Sequence, residues 1–296
     1  MIFDYQFRNY NFRALIYMIL LSVLGILVVG SASNQDRSSV IKQIIGVVVS
    51  LIICLVLSLI DYHQYFRFTT LIYVVCAGML AAVLLFGRTT KGATRWLRIG
   101  GIQIQPSEFV KIGLILILAN FLSRNREKIN EPKTLGMTAL ICALPVGMVY
   151  LQPNLSTTIV ICFMILCMVY VAGISYKWIA GAVAVGVPGF AALIYLSLQG
   201  FIPFLQKYQA QRIMGKIFHS SSEFTDLNRQ QDNSMMAIGS GQLRGKGLFN
   251  NTLSSVKNGN FLSEEQTDFI FAVIGEELGF VGGVAVIALY ALLVYE

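Results

Sequence analysis

Acidic and basic residues stand in this chain where charge is costly, inside or beside long apolar runs. Asp268 follows Thr267 where the last apolar run opens. A carboxylate there can cap a helix or take a proton as a general base. Counting about 100° per residue puts Gly275, Gly279 and Gly282 on nearly the same face as Asp268. Small residues mark where membrane helices approach one another, so Asp268 is expected to face the bundle rather than lipid. Glu276 and Glu277 lie deeper, where an ionised group costs about 2.5–3.5 kcal/mol on insertion scales, and a structural network is expected to hold them.

Glu108 and Lys111 share a face at i and i+3 behind Pro106, which suits the first position of a helix. They form either a structural ion pair or a site in which Lys111 holds a phosphate-bearing lipid and Glu108 sets its position. Gly239, Gly241, Gly245, Lys246 and Gly247 make a basic, glycine-rich stretch. It is not a Walker P-loop, because Gly247 stands where Ser or Thr should hold magnesium. It reads as a backbone nest for phosphate or a flexible turn. His63 and His219 fall on opposite sides of the predicted membrane, and Cys54, Cys76, Cys142, Cys162 and Cys167 all lie in apolar runs. The cysteines read as reduced core residues. No zinc spacing and no nucleophile triad is visible.

These residues must be positioned by membrane helices. Hydrophobic residues make up 56% of the chain and charged residues 12%, about half the charge of a soluble domain, so lipid must be the solvent for much of the surface. Spans of about 20 apolar residues are predicted at 14–32, 41–60, 69–87, 106–123, 134–151, 156–172, 178–198 and 268–294. The fold is therefore read as an all-α, polytopic bundle of about eight spans in one integral membrane domain, 1–296, with one large loop, 199–267. Apolar islands in that loop, Phe201 to Leu205 and Met235 to Ile238, suggest short helices on the membrane or folded back into the bundle. The first span follows Arg8 and Arg13 and ends in Ser31-Ala32-Ser33, which imitates a secretory signal, but its length and the spans that follow favour an uncleaved helix. The chain stops at the end of the eighth span and looks truncated.

The net charge of +7 lies in loops between apolar runs, which fits membrane topology or an anionic lipid better than nucleic acid. One side of the membrane holds Arg8, Arg13, Arg67, Arg124, Arg126, Lys128, Lys133 and Lys177; the other holds Arg37, Lys42, Arg88, Lys91, Arg95 and Arg98. The excess places the N-terminus in the cytoplasm. The basic residues on the opposite side call for an anionic ligand. The same side receives Arg95-Trp96-Leu97-Arg98, Gln105-Pro106-Ser107-Glu108 with Lys111, Gln152-Pro153-Asn154, and Thr267-Asp268, so one face of the bundle carries a polar site.

Together these clusters resemble the SEDS family (shape, elongation, division and sporulation), to which RodA and FtsW belong. The resemblance rests on Arg95-Trp96-Leu97 with Gln105-Pro106-Ser107-Glu108 and Lys111, on Ala237-Ile238-Gly239-Ser240-Gly241 with Gly245-Lys246-Gly247-Leu248, on Thr267-Asp268-Phe269-Ile270-Phe271, and on Gly275-Glu276-Glu277-Leu278-Gly279. It runs along the whole chain, and the family's usual ten spans imply that two are missing. It implies a bacterial plasma-membrane peptidoglycan glycosyltransferase that polymerises lipid II, a disaccharide-pentapeptide on undecaprenyl pyrophosphate, beside a class B penicillin-binding protein. It implies that Asp268 is the base, that Arg95, Trp96, Glu108, Lys111, Arg212 and Lys246 bind substrate, and that Gln105, Pro106, Ser107, Asn154, Thr267, Glu276 and Glu277 support the site. Direct displacement would invert the α-linked donor to a β-linkage. No cofactor is evident, and a divalent cation is left open. The short segment before the first span suits RodA-like members.

The chain departs from the family pattern at Asn154, where Asp is usual, and at Ser156, Gln242 and Gln266. Asn154 hydrogen-bonds but cannot ionise. Two rivals share the polar cavity and charges: a lipid II flippase, and a non-catalytic scaffold for the transpeptidase.

Overall fold

The computed structural model describes residues 10–33, 36–90, 93–99, 102–152, 154–199, 225–250, 255, 262 and 265–296. The elements are α1 (Phe12–Ala32), α2 (Arg37–Ser58), α3 (Tyr62–Arg67), α4 (Thr69–Phe86), β1 (Arg88–Thr90), β2 (Ala93–Ile99), β3 (Ile102–Ile104), α5 (Pro106–Arg124), α6 (Pro132–Leu151), α7 (Leu155–Val171), α8 (Tyr176–Leu198), α9 (Thr225–Ser240) and α10 (Ile270–Tyr295). Seven helices, α1, α2, α4, α5, α6, α8 and α10, are long and apolar enough to cross a membrane. The apolar α7 has 17 residues, the lower bound of about 17 for a span. The protein is a multi-pass helical membrane protein, and the expected spans fall within a few residues of these helices.

Local chemistry sets the helix starts. Asn11 accepts from the Ala14 amide at 3.1 Å. Asp36 accepts from the amides of Ser38 and Ser39 and from the Ser39 hydroxyl, and the Ser39 hydroxyl bond, then the two amides, holds its carboxyl below the ordinary value. Such caps satisfy amides that the first turn leaves free. Pro106 and Pro132 open α5 and α6, where their missing amides cost nothing.

Contacts divide the chain into two compact units, 1–60 with 210–296, and 61–209. In the second, Leu80, Val110, Leu114, Leu118, Val149 and Ile161 form a buried core across α4, α5, α6 and α7. Gly113 lets α4 and α5 approach: a Cβ there would lie 2.7 Å from the Cys76 sulfur. In the first, Val28 and Ala32 of α1 pack on Val273, Ile274 and Val286 of α10. Large side chains along the lipid-facing lengths are exposed, and α2 buries none of its residues. That pattern suits a solvent as apolar as the side chains themselves.

The helical bundle carries one short sheet, and its long loop contains an expected helix. Residues 88–90, 93–99 and 102–104, in a polar segment between two spans, form a three-stranded antiparallel sheet in the order β1-β2-β3. Arg88 pairs with Trp96, and Leu97 with Ile104. Within the long loop, the Met235–Ile238 island lies in α9, which packs on α10 through Ala237, Ile238 and Ala272. The Phe201–Leu205 island lies outside the described residues.

Candidate functional site

The second unit carries the expected cluster around the start of α5. Strand β2 presents Arg95, half-buried, and Trp96, 38% exposed, and adjacent strand residues point to opposite faces. The chain enters α5 at Gln105, whose amide donates to the Ser107 hydroxyl at 3.0 Å. Ser107 is buried beside Pro106, while Glu108 faces outward. The Lys111 ammonium lies 2.7 Å from a Glu108 carboxylate oxygen, with the pair only partly buried. Both expectations for this pair remain compatible with that geometry: the ion pair forms, and the ammonium keeps donors for an anion.

Asn154 is buried at the start of α7, where its side chain accepts from the Thr157 amide at 3.3 Å and its carbonyl accepts from the Thr158 hydroxyl at 2.8 Å. It is a helix cap, a task Asn performs as well as Asp. Gln152, also buried, donates to the Leu80 carbonyl at 3.4 Å. Pro153 and Arg212 lie outside the described residues, as does the Arg98 side chain.

In the first unit, Thr267 and Asp268 sit on a turn, 265–269, that precedes α10. Two expectations need correction. The helix begins at Ile270 with Phe269 as its cap residue and no side-chain cap bond, so Asp268 is not the cap. The helical-face argument also fails, because α10 is broken at Gly279, with φ 67° and ψ −165°. Gly275 instead meets Ile238 of α9, and Gly279 meets the backbone of Arg244 and Gly245. Asp268 is exposed. Phe269, beside it, packs on the cluster of Ala237, Leu262 and Ala272, which anchors the turn.

Glu276 and Glu277 are both 1% exposed. The Lys246 ammonium lies 2.7 Å from Glu276 Oε1. The Ser31 hydroxyl of α1 donates to Glu277 Oε1 at 2.6 Å, and the Phe249 amide donates to Glu277 Oε2 at 3.3 Å. The helix break frees backbone groups that hydrocarbon cannot satisfy, and residues 242–247 satisfy them. The amides of Lys246 and Gly247 donate to the carbonyls of Glu276 and Glu277, each at 2.9 Å, while those of Phe280 and Val281 donate to Gln242 and Leu243 at 2.8 and 3.2 Å.

This clasp explains the glycines. A Cβ at Gly241 would collide with the Gly275 carbonyl, and one at Gly245 with the Glu277 carbonyl. Gly245 and Gly247 also take φ of 77° and 96°, which favours glycine. The phosphate-nest expectation is thereby corrected: the amides at 246 and 247 already hold carbonyls of α10, and the Lys246 ammonium holds Glu276. Sequence reasoning missed Ser31 and Phe249 as partners of Glu277. The available signal was that a buried carboxylate in one span requires donors from another element. Among the described residues, no three His, Cys, Asp or Glu side chains gather as metal ligands.

A family model described as "Cell cycle protein", for FtsW, RodA and SpoVE, matches residues 12–296. The chain is 35% identical over 282 residues to the peptidoglycan glycosyltransferase MrdB of Escherichia coli strain K12, covering 95% of this chain and 72% of that protein. It is 29% identical to a probable peptidoglycan glycosyltransferase FtsW of Haemophilus influenzae, covering 96% and 71%. Among solved structures, it is similar to a chain from a peptidoglycan synthase complex that coordinates polymerization and crosslinking, with TM-score 0.75, 25% identity, and 97% and 76% coverage. The rod shape determining protein RodA of Thermus thermophilus shares the fold, with TM-score 0.62, 23% identity, and 98% and 74% coverage.

Proposed function

This chain belongs to the FtsW, RodA and SpoVE family of cell cycle proteins, and on that premise we propose that it is a peptidoglycan glycosyltransferase that polymerises lipid II. The observation that carries the residue assignment is an exposed carboxylate, Asp268, on a turn anchored by Phe269 at the start of a helix that is itself clasped at Glu276 and Glu277. In this reading Asp268 accepts the proton of the acceptor hydroxyl as its oxygen attacks the anomeric carbon. The bond from that carbon to the pyrophosphate oxygen breaks, and the electron pair leaves with the lipid pyrophosphate. The configuration inverts from α to β.

Charge gathers on the departing pyrophosphate, and preorganised cations lower the barrier most where charge develops. Arg95, Lys111 and Arg212 are assigned to it. Glu108, 2.7 Å from Lys111, orients that ammonium, and Trp96 offers an aromatic face to the substrate. Lys246, expected to bind substrate, is assigned to the clasp instead. Gln105, Pro106 and Ser107 shape the start of α5. The N-terminus is assigned to the cytoplasm and the site to the opposite side, with a class B penicillin-binding protein as partner.

A flippase would also use a broken helix with charges beside it. Here the backbone groups freed at Gly279 are taken by residues 242–247, which leaves them unavailable to a passenger. Full-length protein, labelled lipid II and the partner in a glycan-strand gel assay decide the matter. Wild type yields strands and Asp268→Ala does not. Strand synthesis undiminished by Asp268→Ala would refute the assignment, and a wild type that moves lipid II across vesicles without polymerising it would favour the flippase.

A further inference from the structure

Within the first unit, a groove of about 540 Å³ opens between the end of α1 and the start of α2. That volume lies within the roughly 300–1,000 Å³ typical of small-molecule sites. Leu27 and Gly30 of α1, Val40 and Ile41 of α2, and Phe249 are among its lining residues, and Arg37 is the one charged residue among the described ones. Its wall includes a strained residue that hydrogen bonds hold in place. Phe249 has φ 61°, an outlier for so bulky a residue, and such conformations persist only where surrounding structure over-determines them. The restraint is visible: the Phe249 amide donates to the Ser31 hydroxyl at 3.2 Å and to buried Glu277 at 3.3 Å. The floor is Gly30, where a Cβ would stand 3.5 Å from Val40 and 3.8 Å from the Phe249 ring.

An apolar channel with one guanidinium matches an amphiphile with one apolar chain and one phosphate-type head, since Arg offers a fork of donors suited to phosphate oxygens. The geometry points to this groove as the seat of the polyprenyl chain of the lipid-linked substrate, with Arg37 on its phosphate. The inference rests on the proposed lipid II reading for its choice of a single-chain prenyl lipid. A two-chain phospholipid offers the same phosphate and is the competing source.

The test places the photoreactive amino acid p-benzoylphenylalanine at Ile41 in the full chain in detergent micelles. Undecaprenyl pyrophosphate or phosphatidylglycerol is supplied at equal concentration, and adducts are read by mass. The expected result is a prenyl adduct at least tenfold more abundant than the phospholipid adduct, lost when Leu27→Trp plugs the groove and reduced by Arg37→Gln. Leu27 is 45% exposed, so the larger ring fits without crowding the core, and unchanged thermal unfolding confirms that the variant folds. Equal adducts from both lipids, or a prenyl adduct indifferent to Leu27→Trp, would overturn the assignment. In the glycan-strand assay Leu27→Trp should raise KM for lipid II about tenfold with kcat held. A wild type that polymerises lipid II while Leu27→Trp leaves KM unmoved sinks the groove and spares the enzyme reading. A wild type that does not polymerise sinks the reading, while the adducts still report on the groove.

Discussion

Replacing Asp268 by Asn removes the carboxylate's capacity to take a proton and leaves its size unchanged. Because the side chain is exposed and outside the helix, the fold should be untouched. General bases contribute about 100- to 10,000-fold, so Asp268→Asn should lower the strand-synthesis rate by that range with an unchanged unfolding temperature. Lys246 behaves oppositely. Its ammonium meets Glu276, whose side chain is 2% exposed, and removing one partner of a buried pair costs about 3–5 kcal/mol. Lys246→Met should therefore unfold at markedly lower temperature. The double variant Lys246→Met with Glu276→Met should recover most of the loss, because an apolar pair leaves no orphaned charge. Recovery absent from the double variant would mean the loss came from elsewhere. At this scale the sequence was readable by chemical type: a carboxylate deep in a span implied a network. It was not readable by partner, because Ser31 lies 246 positions from Glu277 and nothing local ties them.

The glycine-rich stretch separates two kinds of glycine that look alike in sequence. Gly239 lies inside α9 with open space around its Cα, whereas Gly245 has φ 77° and would collide with α10. Gly239→Ala should stabilise by at most the roughly 0.5–1 kcal/mol gained in a helix interior, because Gly239 lies in the last turn of α9. Gly245→Ala should destabilise by more than the roughly 1–3 kcal/mol of a strained backbone alone, since the clash adds to it. Thermal unfolding of the two variants in one detergent makes the comparison, and equal shifts would show that the clasp is absent. At the start of α7, Asn154→Ala should lose about 0.5–2 kcal/mol of capping, while Asn154→Asp should hold stability near wild type. Helix positions were legible here because apolar runs of span length have one outcome in lipid. The sheet over 88–104 was not, because its strands are three to seven residues long and alternate too briefly to distinguish from a loop. The break at Gly279 was hidden for another reason: Leu278, Phe280 and Val281 continue the apolar pattern, and only the residues that replace the lost hydrogen bonds reveal it.

For the molecule as a whole, topology decides where the chemistry happens. In the proposed topology, alternation of the predicted spans assigns the start of α5 and Asp268 to one side of the membrane, and Lys128, Lys177 and the N-terminus to the other. The bias of Lys and Arg between short loops sets orientation, and its margin in this sequence is thin because Arg37, Lys42, Arg88, Lys91, Arg95 and Arg98 are assigned to the proposed catalytic side. If those residues serve an anionic substrate rather than orientation, the cytoplasmic side is the one holding Arg124, Arg126, Lys128 and Lys133. Single-cysteine reporters test this in a full chain whose five cysteines are replaced. Gln103 on β3 and Lys128 after α5 are both exposed and lie at opposite ends of α5. A membrane-impermeant maleimide added to intact cells stripped of their wall should label Gln103→Cys and leave Lys128→Cys unlabelled until the membrane is opened. Labelling of Lys128→Cys alone would invert the chain. The proposed topology would then put Asp268 in the cytoplasm, where an extracytoplasmic polymerase has no use for its base.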